Sequence, residues 1–196
     1  MISRRLLYPF LTVFAMLFAA CNDDLDRKTT LTFTGDSIIA RWDLQNYFSS
    51  LATTNLGVSG AGIDYIESLS GRMKGLNVVI MIGTNDNYMF HDEGPRKEYE
   101  VRYMAALDAL EAETIYLYEV LPREFNNQDA VLNDYIRLFN NEIAEFVAER
   151  PSIVYLQVFD SFIDTGNHIN QQYYNDGLHL SPEGYEILAD ALFNEL

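Results

Sequence analysis

Strand-like and helix-like segments alternate along this chain after Thr29, and this order restricts the possible folds more than any other feature. The clearest strand is a continuous apolar run over residues 77–82, which ends at Gly83 and is typical of a strand covered on both faces. Because helical segments lie between the strands, the sequence predicts an α/β fold with a five-stranded parallel sheet and helices on both faces. The predicted strands are residues 31–34, 53–56, 77–82, 114–118 and 153–156.

The three longer helices carry recognisable start signals. Pro95 is expected to open the first of them, because its missing N–H costs no hydrogen bond at a first helical position. Asp129 is expected to cap the second, in which apolar residues recur at helical spacing. Ser181-Pro182 is a good N-cap and N1 pair for a last helix that ends near Leu196. Shorter helices are predicted over residues 41–48 and 63–69.

The first twenty residues predict a secretory signal peptide rather than part of the fold. Arg4 and Arg5 form a basic start. The apolar run that follows is shorter than the about 20 residues that a membrane-spanning helix needs. Small residues then precede Cys21, which is the only cysteine of the chain and therefore excludes an intrachain disulfide. We assign residues 1–20 to this leader.

The residues around the predicted cleavage point suggest a lipid anchor. Phe18-Ala19-Ala20-Cys21 resembles a bacterial lipobox, with Phe18 in place of the usual leucine. The resemblance implies that Cys21 is lipidated and anchors the chain in the bacterial cell envelope, at the periplasmic or surface face of the outer membrane. Ordinary secretion and a retained anchor are the alternatives. Residues 21–29 would form an acidic tether, and residues 30–196 a single domain.

The charge balance and the histidine spacing narrow the function classes. The chain has 13 Lys and Arg against 29 Asp and Glu, a formal net charge of −16. Such an acidic surface repels phosphate backbones, so we expect no nucleic-acid partner. The three histidines lie far apart, and neither H-x-x-x-H nor C-x-x-C spacing occurs, so we expect no metal or other cofactor.

Polar residues follow the ends of several predicted strands. Ser37 follows the first strand, Gly57 the second, and Gly83-Thr84-Asn85-Asp86 the third. Asp176-Gly177-Leu178-His179 lies between the fifth strand and the last helix. Because sites in open parallel sheets form outside the carboxyl ends of the strands, we expect these groups to meet at one edge.

These residue types match what acyl transfer requires. The Ser37 hydroxyl becomes a good nucleophile when a base removes its proton, and His179 is the natural base because imidazole titrates near neutrality. Asp176 could hold the imidazole in the right tautomer. Candidate donors to the developing oxyanion are the N–H of Ser37, the N–H of Gly57 and the side-chain amide of Asn85. Glycine at position 57 would let the substrate approach the backbone.

At these positions the chain closely resembles the SGNH hydrolase family, also called GDSL-type esterases. The matching blocks follow the family's order, and they are Gly35-Asp36-Ser37, Asn55-Leu56-Gly57, Gly83-Thr84-Asn85-Asp86 and Asp176-Gly177-Leu178-His179-Leu180. The resemblance implies a flavodoxin-like three-layer α/β/α sandwich and a metal-independent esterase. It carries over Ser37 as nucleophile, Gly57 and Asn85 as oxyanion donors, and Asp176 and His179 as triad partners.

Other assignments of the same residues stay open at this point. Ser59 is a rival nucleophile, because Gly57-Val58-Ser59-Gly60-Ala61 nearly matches the G-x-S-x-G elbow of α/β-hydrolases. Asp176 could merely start an Asp-Gly turn, which would leave a dyad of Ser37 and His179. Asp86 could serve only to satisfy loop backbone.

The substrate is less tightly constrained than the chemistry. We expect a short-chain acyl ester, in particular an acetyl ester on a carbohydrate. The alternatives are a lysophospholipid or thioester substrate, acyl transfer to a sugar acceptor, and non-catalytic glycan binding. The oligomeric state is not predicted. Aromatic and apolar residues near the site could line the cleft or could be ordinary packing; they are Tyr88, Met89, Phe90, Tyr173 and Tyr174.

Overall fold

A computed structural model describes residues 30–124 and 129–196, and it shows one five-stranded sheet. The order across the sheet is β2-β1-β3-β4-β5, and every neighbouring pair is parallel. This is the flavodoxin-like order, so the predicted fold class is confirmed. The predicted leader, Cys21 and the tether lie outside the described residues. The strands are β1 (Thr30–Gly35), β2 (Ala52–Asn55), β3 (Asn77–Met81), β4 (Thr114–Tyr118) and β5 (Ile153–Leu156).

Helices cover both faces of the sheet. The α-helices are α1 (Ser37–Ala40), α2 (Leu44–Tyr47), α3 (Ile63–Ser68), α4 (Glu93–Asp108), α5 (Asp129–Val147) and α6 (Pro182–Phe193). Short 3-10 helices occur at Thr84–Met89, Phe159–Phe162 and Gln171–Tyr173. Within the two described ranges, no helix combines the length and the apolar character needed to cross a bilayer.

Two buried clusters form the layers of the core. One joins α3, α4 and α5 to one face of the sheet, and the other joins α1, α2 and α6 to the opposite face. Strand β3 serves both, because successive side chains point to opposite faces: Val78 and Ile80 enter the first cluster, and Val79 and Met81 enter the second. The fold is therefore a three-layer α/β/α sandwich.

The prediction of a single helix over residues 41–48 was wrong. The chain instead forms α1 and α2, which are separated by a turn at Trp42. The Trp42 side chain is 3% exposed, and its ring stacks on Tyr185 with centroids 5.4 Å apart. Asp36 caps α1 directly after β1, so helix formation starts four residues earlier than predicted.

The other helix signals were nearer the observed boundaries. The prediction that Pro95 opens a helix was wrong by two residues, because α4 begins at Glu93 after the N-cap Asp92. Pro95 is tolerated there since N–H groups in the first turn have no partner inside the helix. Ser181 is confirmed as the N-cap of α6, and its hydroxyl accepts from the N–H of Gly184 at 3.2 Å.

Candidate active site

The turn after β1 places Ser37 at the carboxyl edge of the sheet. Gly35 adopts φ +144°, and a Cβ there would lie 2.0 Å from the carbonyl oxygen of Met81, so only glycine fits. Asp36 then caps α1, because its Oδ1 accepts from the N–H of Ile38 at 2.8 Å. Ser37 is consequently the first residue of α1, and it is 5% exposed.

Ser37, His179 and Asp176 are joined in series. The Oγ of Ser37 lies 3.0 Å from Nε2 of His179, and Nδ1 of His179 lies 2.7 Å from Oδ2 of Asp176. With the Nδ1–H donated to Asp176, Nε2 is left as the acceptor for the hydroxyl proton of Ser37. The arrangement can activate a hydroxyl and stabilise an imidazolium.

The turn that carries Asp176 also keeps it ionised. Its Oδ1 accepts the backbone N–H of His179 at 2.7 Å and that of Leu178 at 3.1 Å. The backbone hydrogen bond from His179, together with its ring and Leu178, lowers the pKa of Asp176 to about 2, against a smaller opposing effect of burial. Asp176 thus both builds the turn and contacts the ring, so the two uses considered from the sequence occur together.

The segment around Gly57 packs more tightly than the sequence suggested. A Cβ at Gly57 would lie 2.4 Å from the backbone nitrogen of Ala40, so glycine is required by its contact with α1. This contact gives glycine a structural reason beside the predicted one, which was access for a substrate to the backbone. The N–H of Gly57 donates to Oδ1 of Asn55 at 2.9 Å, and Nδ2 of Asn55 donates to the carbonyl of Ile39 at 2.8 Å.

The other two candidate donors to the oxyanion, Ser37 and Asn85, each have an N–H hydrogen available for donation. The N–H of Ser37 stands at the first position of α1 and so has no acceptor inside that helix. Asn85 donates one amide hydrogen to the carbonyl of Ala61 at 2.8 Å, and a primary amide has a second hydrogen. Asn85 is half-buried in the 3-10 turn that follows β3.

Asp86 has a structural role. Its Oδ2 accepts from the N–H of Ile63 at 2.8 Å and from the hydroxyl of Tyr99 at 2.7 Å. These bonds tie the third motif to the start of α3 and to α4. The partners lie 23 and 13 residues away, so no local pattern around Asp86 indicates them.

Asp36 carries an ionisable side chain to which the sequence assigned no role. Its side chain is fully buried, and its Oδ2 makes no hydrogen bond to any group in the described part of the chain. Burial raises the pKa of Asp36 to about 7, although the N–H of Ile38 and the charge of Arg123 oppose this rise.

A cavity of about 360 Å³ opens beside His179. It lies between the α1–α2 segment and the start of α6, and its lining includes Arg41, Asp43, Asn46, Tyr47, Asn175 and Tyr185. Sequence reasoning missed these residues, because no motif marks them and the break between α1 and α2 creates the space.

The remaining residues considered from the sequence lie outside the series formed by Ser37, His179 and Asp176. Phe90 and Tyr174 are buried in the core, and Tyr88 is 68% exposed. Ser59 is exposed, and the hydroxyl that contacts the ring of His179 is that of Ser37. In residues 30–124 and 129–196, no group of three His, Cys, Asp or Glu side chains is placed to hold a metal ion.

Comparison with known protein sequences identifies a family and a curated relative. The GDSL-like Lipase/Acylhydrolase family matches residues 33–187. An N-acylneuraminate cytidylyltransferase of Escherichia coli O18:K1:H7 (strain RS218 / NMEC) is 25% identical over 186 residues. That match covers 87% of this chain and 41% of the relative, so the chain spans about two fifths of the relative's length.

Solved structures of other proteins share the fold. A catalytic mutant of an acetylxylan esterase from Geobacillus stearothermophilus is similar with a TM-score of 0.62 and 24% identity, over 85% of this chain and 93% of that one. A carbohydrate esterase family 3 protein from Talaromyces cellulolyticus is similar with a TM-score of 0.63 and 16% identity, over 86% of this chain and 96% of that one. At these identities the likeness concerns the fold.

Proposed function

This chain belongs to the GDSL-like lipase/acylhydrolase family and is a hydrolase, and we propose that it is a serine esterase that removes a short acyl group, in particular acetyl, from a carbohydrate. The observation that carries the proposal is the series formed by Ser37, His179 and Asp176, with contacts of 3.0 and 2.7 Å. A structural hydrogen-bond network does not need a hydroxyl, an imidazole and a carboxylate in this sequence, whereas nucleophilic catalysis does.

Ester cleavage would follow from this geometry in two halves. The Oγ of Ser37 attacks the acyl carbon while Nε2 of His179 takes its proton, and the carboxylate of Asp176 stabilises the resulting imidazolium. His179 then gives the proton to the leaving alkoxide, which departs as the alcohol. A water molecule, deprotonated by His179, attacks the acyl-enzyme in the same way and releases the carboxylic acid and the Ser37 hydroxyl.

The negative charge that develops on the acyl oxygen needs donors. We assign this role first to the N–H of Ser37 and the free amide hydrogen of Asn85, which are fixed by α1 and by the carbonyl of Ala61. Gly57 would contribute only if its N–H exchanged Oδ1 of Asn55 for the oxyanion or bridged the two.

The preference for a carbohydrate ester rests on two observations. The two structurally similar esterases are named for acetylxylan and for carbohydrate esters. The cavity beside His179 is lined by charged and amide side chains together with tyrosine rings, Leu180 and Pro182, so it offers both hydrogen-bonding groups and apolar surface, as a sugar ring does. Lysophospholipid and thioester hydrolysis are the competing activities.

A screen of acyl length on the full-length protein tests the proposal. We expect p-nitrophenyl acetate to be hydrolysed much faster than the butyrate or octanoate ester, and Ser37→Ala to lose about 10³-fold or more in kcat. A fluorophosphonate probe should label the wild type and Ser59→Ala but not Ser37→Ala. Equal labelling of Ser37→Ala would contradict the nucleophile, and a maximum at octanoate would favour lipid hydrolysis.

We also propose that the enzyme is held in the cell envelope through a lipid on Cys21. The support is the lipobox-like segment and the acidic tether that follows it. An anchored esterase would act on esters at or near the membrane face that displays it.

A further inference from the structure

The side chain of Arg123 binds the backbone of the motif Gly83-Thr84-Asn85-Asp86. Arg123 follows β4 and is half-buried, and its Nη1 donates to the carbonyl oxygen of Thr84 at 2.7 Å. The hydroxyl oxygen of Thr84 lies 3.4 Å from the same Nη1. Thr84 is 2% exposed, so a cation donates here to a carbonyl that is shielded from water. Hydrogen bonds of this charge-assisted kind are among the stronger ones in proteins.

The carbonyl of Thr84 controls the placement of Asn85. It belongs to the peptide that links the two residues, and a planar peptide moves as one unit. The same carbonyl accepts a second hydrogen bond, from Nδ2 of Asn87 at 2.9 Å. At the other end of Asn85, its Nδ2 donates to the carbonyl of Ala61 at 2.8 Å. Arg123 thus helps to fix the backbone of the residue whose side chain we assign as an oxyanion donor.

Backbone hydrogen bonds on both sides hold Arg123 in place. Its own N–H donates at 3.0 Å to Oδ1 of Asn133, a fully buried residue of α5. The N–H of Glu124 donates at 2.8 Å to the carbonyl of Gly177, in the turn that carries the acid and the base of the triad. The segment after β4 therefore joins the oxyanion side of the site to the triad turn. It also fixes the Cα from which the guanidinium reaches Thr84.

The same guanidinium lies near the start of α1. Burial raises the pKa of Asp36 to about 7, and the N–H of Ile38 and the charge of Arg123 oppose this rise. A charge exerts such an effect only at short range. Asp36 directly precedes Ser37, whose N–H is the other oxyanion donor. Arg123 therefore lies near both segments that supply these donors.

We propose that Arg123 is a positioning residue of the esterase, which holds the carbonyl of Thr84 so that the amide of Asn85 meets the developing oxyanion. The proposal rests on the esterase function and on the oxyanion role of Asn85 proposed above. Arg123 acts through Asn85 and touches neither the substrate nor the reacting atoms. Because the oxyanion exists only near the transition state, a displaced Asn85 should lower kcat and leave KM almost unchanged.

Arg123→Met in the full-length protein measures what the guanidinium contributes. With p-nitrophenyl acetate we expect kcat to fall about ten- to a hundredfold, the cost of a slightly misplaced group, with KM within about threefold of the wild type. The matched control is Arg102→Met, which removes an exposed arginine that binds Glu67 and should leave both constants unchanged. A thermal melt of each variant checks folding. If Arg123→Met does not fold, Arg123→Gln, whose neutral amide is too short for the same bond, carries the same expectations.

A combination with Asn85→Ala separates positioning from a general structural role. Asn85→Ala alone should lower kcat by about 10²–10³-fold, as the loss of one oxyanion donor does. Since Arg123 acts through Asn85, adding Arg123→Met to Asn85→Ala should lower kcat further by no more than about threefold. Arg123→Lys keeps a cationic donor, so its kcat should lie between those of the wild type and Arg123→Met.

Three results would overturn the proposal while the esterase function stands. The first is a kcat of Arg123→Met equal to that of Arg102→Met. The second is a double variant in which the two losses multiply in full, which would make the effect of Arg123 independent of Asn85. The third is a rise in KM that exceeds the fall in kcat, which would make Arg123 a substrate-binding residue. Failure of the esterase function itself is read separately, from wild-type rates in Ser37→Ala.

Discussion

Asp176 holds His179 by two of its atoms at once: Oδ2 lies 2.7 Å from the ring Nδ1, and Oδ1 accepts the backbone N–H of the same residue at 2.7 Å. The two bonds leave the imidazole little freedom to rotate away from Ser37. A carboxylate three residues before the histidine thus orients the ring through the turn that it builds itself.

Asp176→Asn should lower kcat strongly while leaving the fold intact. The amide oxygen can still accept the N–H groups of Leu178 and His179, so the turn should survive. An amide beside Nδ1 cannot stabilise an imidazolium, and we expect a loss of about 10²–10⁴-fold in kcat. Steady-state rates and a thermal melt of the same sample check this. A variant with full activity would reduce the unit to a dyad of Ser37 and His179.

The low pKa of Asp176 adds an expectation about acid conditions. Because that pKa is about 2, the carboxylate stays ionised at pH 4 and above. Any loss of activity between pH 7 and pH 4 should then come from other groups. A pH–rate profile of the wild type checks this, because the Asp176 carboxylate should not titrate between pH 4 and pH 7. An ionisation in that range that is present in the wild type and absent from Asp176→Asn would contradict the low pKa of Asp176.

Gly57→Ala should displace α1 and so act on the nucleophile indirectly. The added methyl would meet the backbone of Ala40 at 2.4 Å, and we expect a loss of about 1–3 kcal/mol in the free energy of unfolding. The activity should fall as well, since α1 begins with Ser37. Denaturant unfolding and kcat measure the two effects.

Gly94→Ala is the matched control for that substitution. A Cβ at Gly94 meets no atom within 4 Å, and its backbone is helical, so stability should change by no more than about 1 kcal/mol. A Gly57→Ala variant as stable and active as Gly94→Ala would contradict the close packing of Gly57 against α1.

Asp36 should make the protein less stable as the pH rises from about 4 to about 7. The unfolded carboxyl ionises near its ordinary pKa of 3.8, whereas the buried one keeps its proton up to about 7. In that window the folded state binds one proton more, so the free energy of unfolding falls with pH and levels off above pH 7. The shift corresponds to a total of about 4 kcal/mol.

Asp36→Asn should remove this part of the pH dependence. The amide oxygen can still accept the N–H of Ile38, so α1 keeps its cap. Burial also raises the pKa of Glu100 to about 7, so the informative quantity is the difference between wild type and variant at each pH. Unfolding in urea at pH 4, 5.5 and 7 measures it. Parallel curves would show that Asp36 does not titrate in this window.

Cys21→Ser should release the protein from the membrane. A labelled fatty acid should be incorporated into the wild type and not into the variant, because the chain has no other cysteine. In Ser37→Ala, the matched control, incorporation should be unchanged. Labelling of Cys21→Ser would place the lipid elsewhere, and absence of label from both would indicate ordinary secretion or a retained leader.

The pattern of apolar runs was sufficient to predict the sheet and the ends of its strands. Strands β4 and β5 have the predicted bounds. Ser37 follows the end of β1, Asn85 follows the end of β3, and His179 precedes α6, as the order of the motifs predicted. Local patterns succeed here because side-chain alternation, helix caps and Gly turns are decided by near neighbours in the chain. The same logic failed at residues 41–48, where a helical pattern was overridden by the burial of Trp42.

The amino-acid sequence by itself therefore determined the parallel α/β architecture and the residues available for chemistry. Tertiary structure alone decided how they meet. Ser37 and His179 are 142 residues apart, and only the packing of α6 and its preceding loop against α1 places them within 3.0 Å. The cavity beside His179 also arises between α1–α2 and the start of α6, Gly57 lies against the backbone of α1, and Asp36 is fully buried. These are properties of distance and burial between distant segments, which no local pattern encodes.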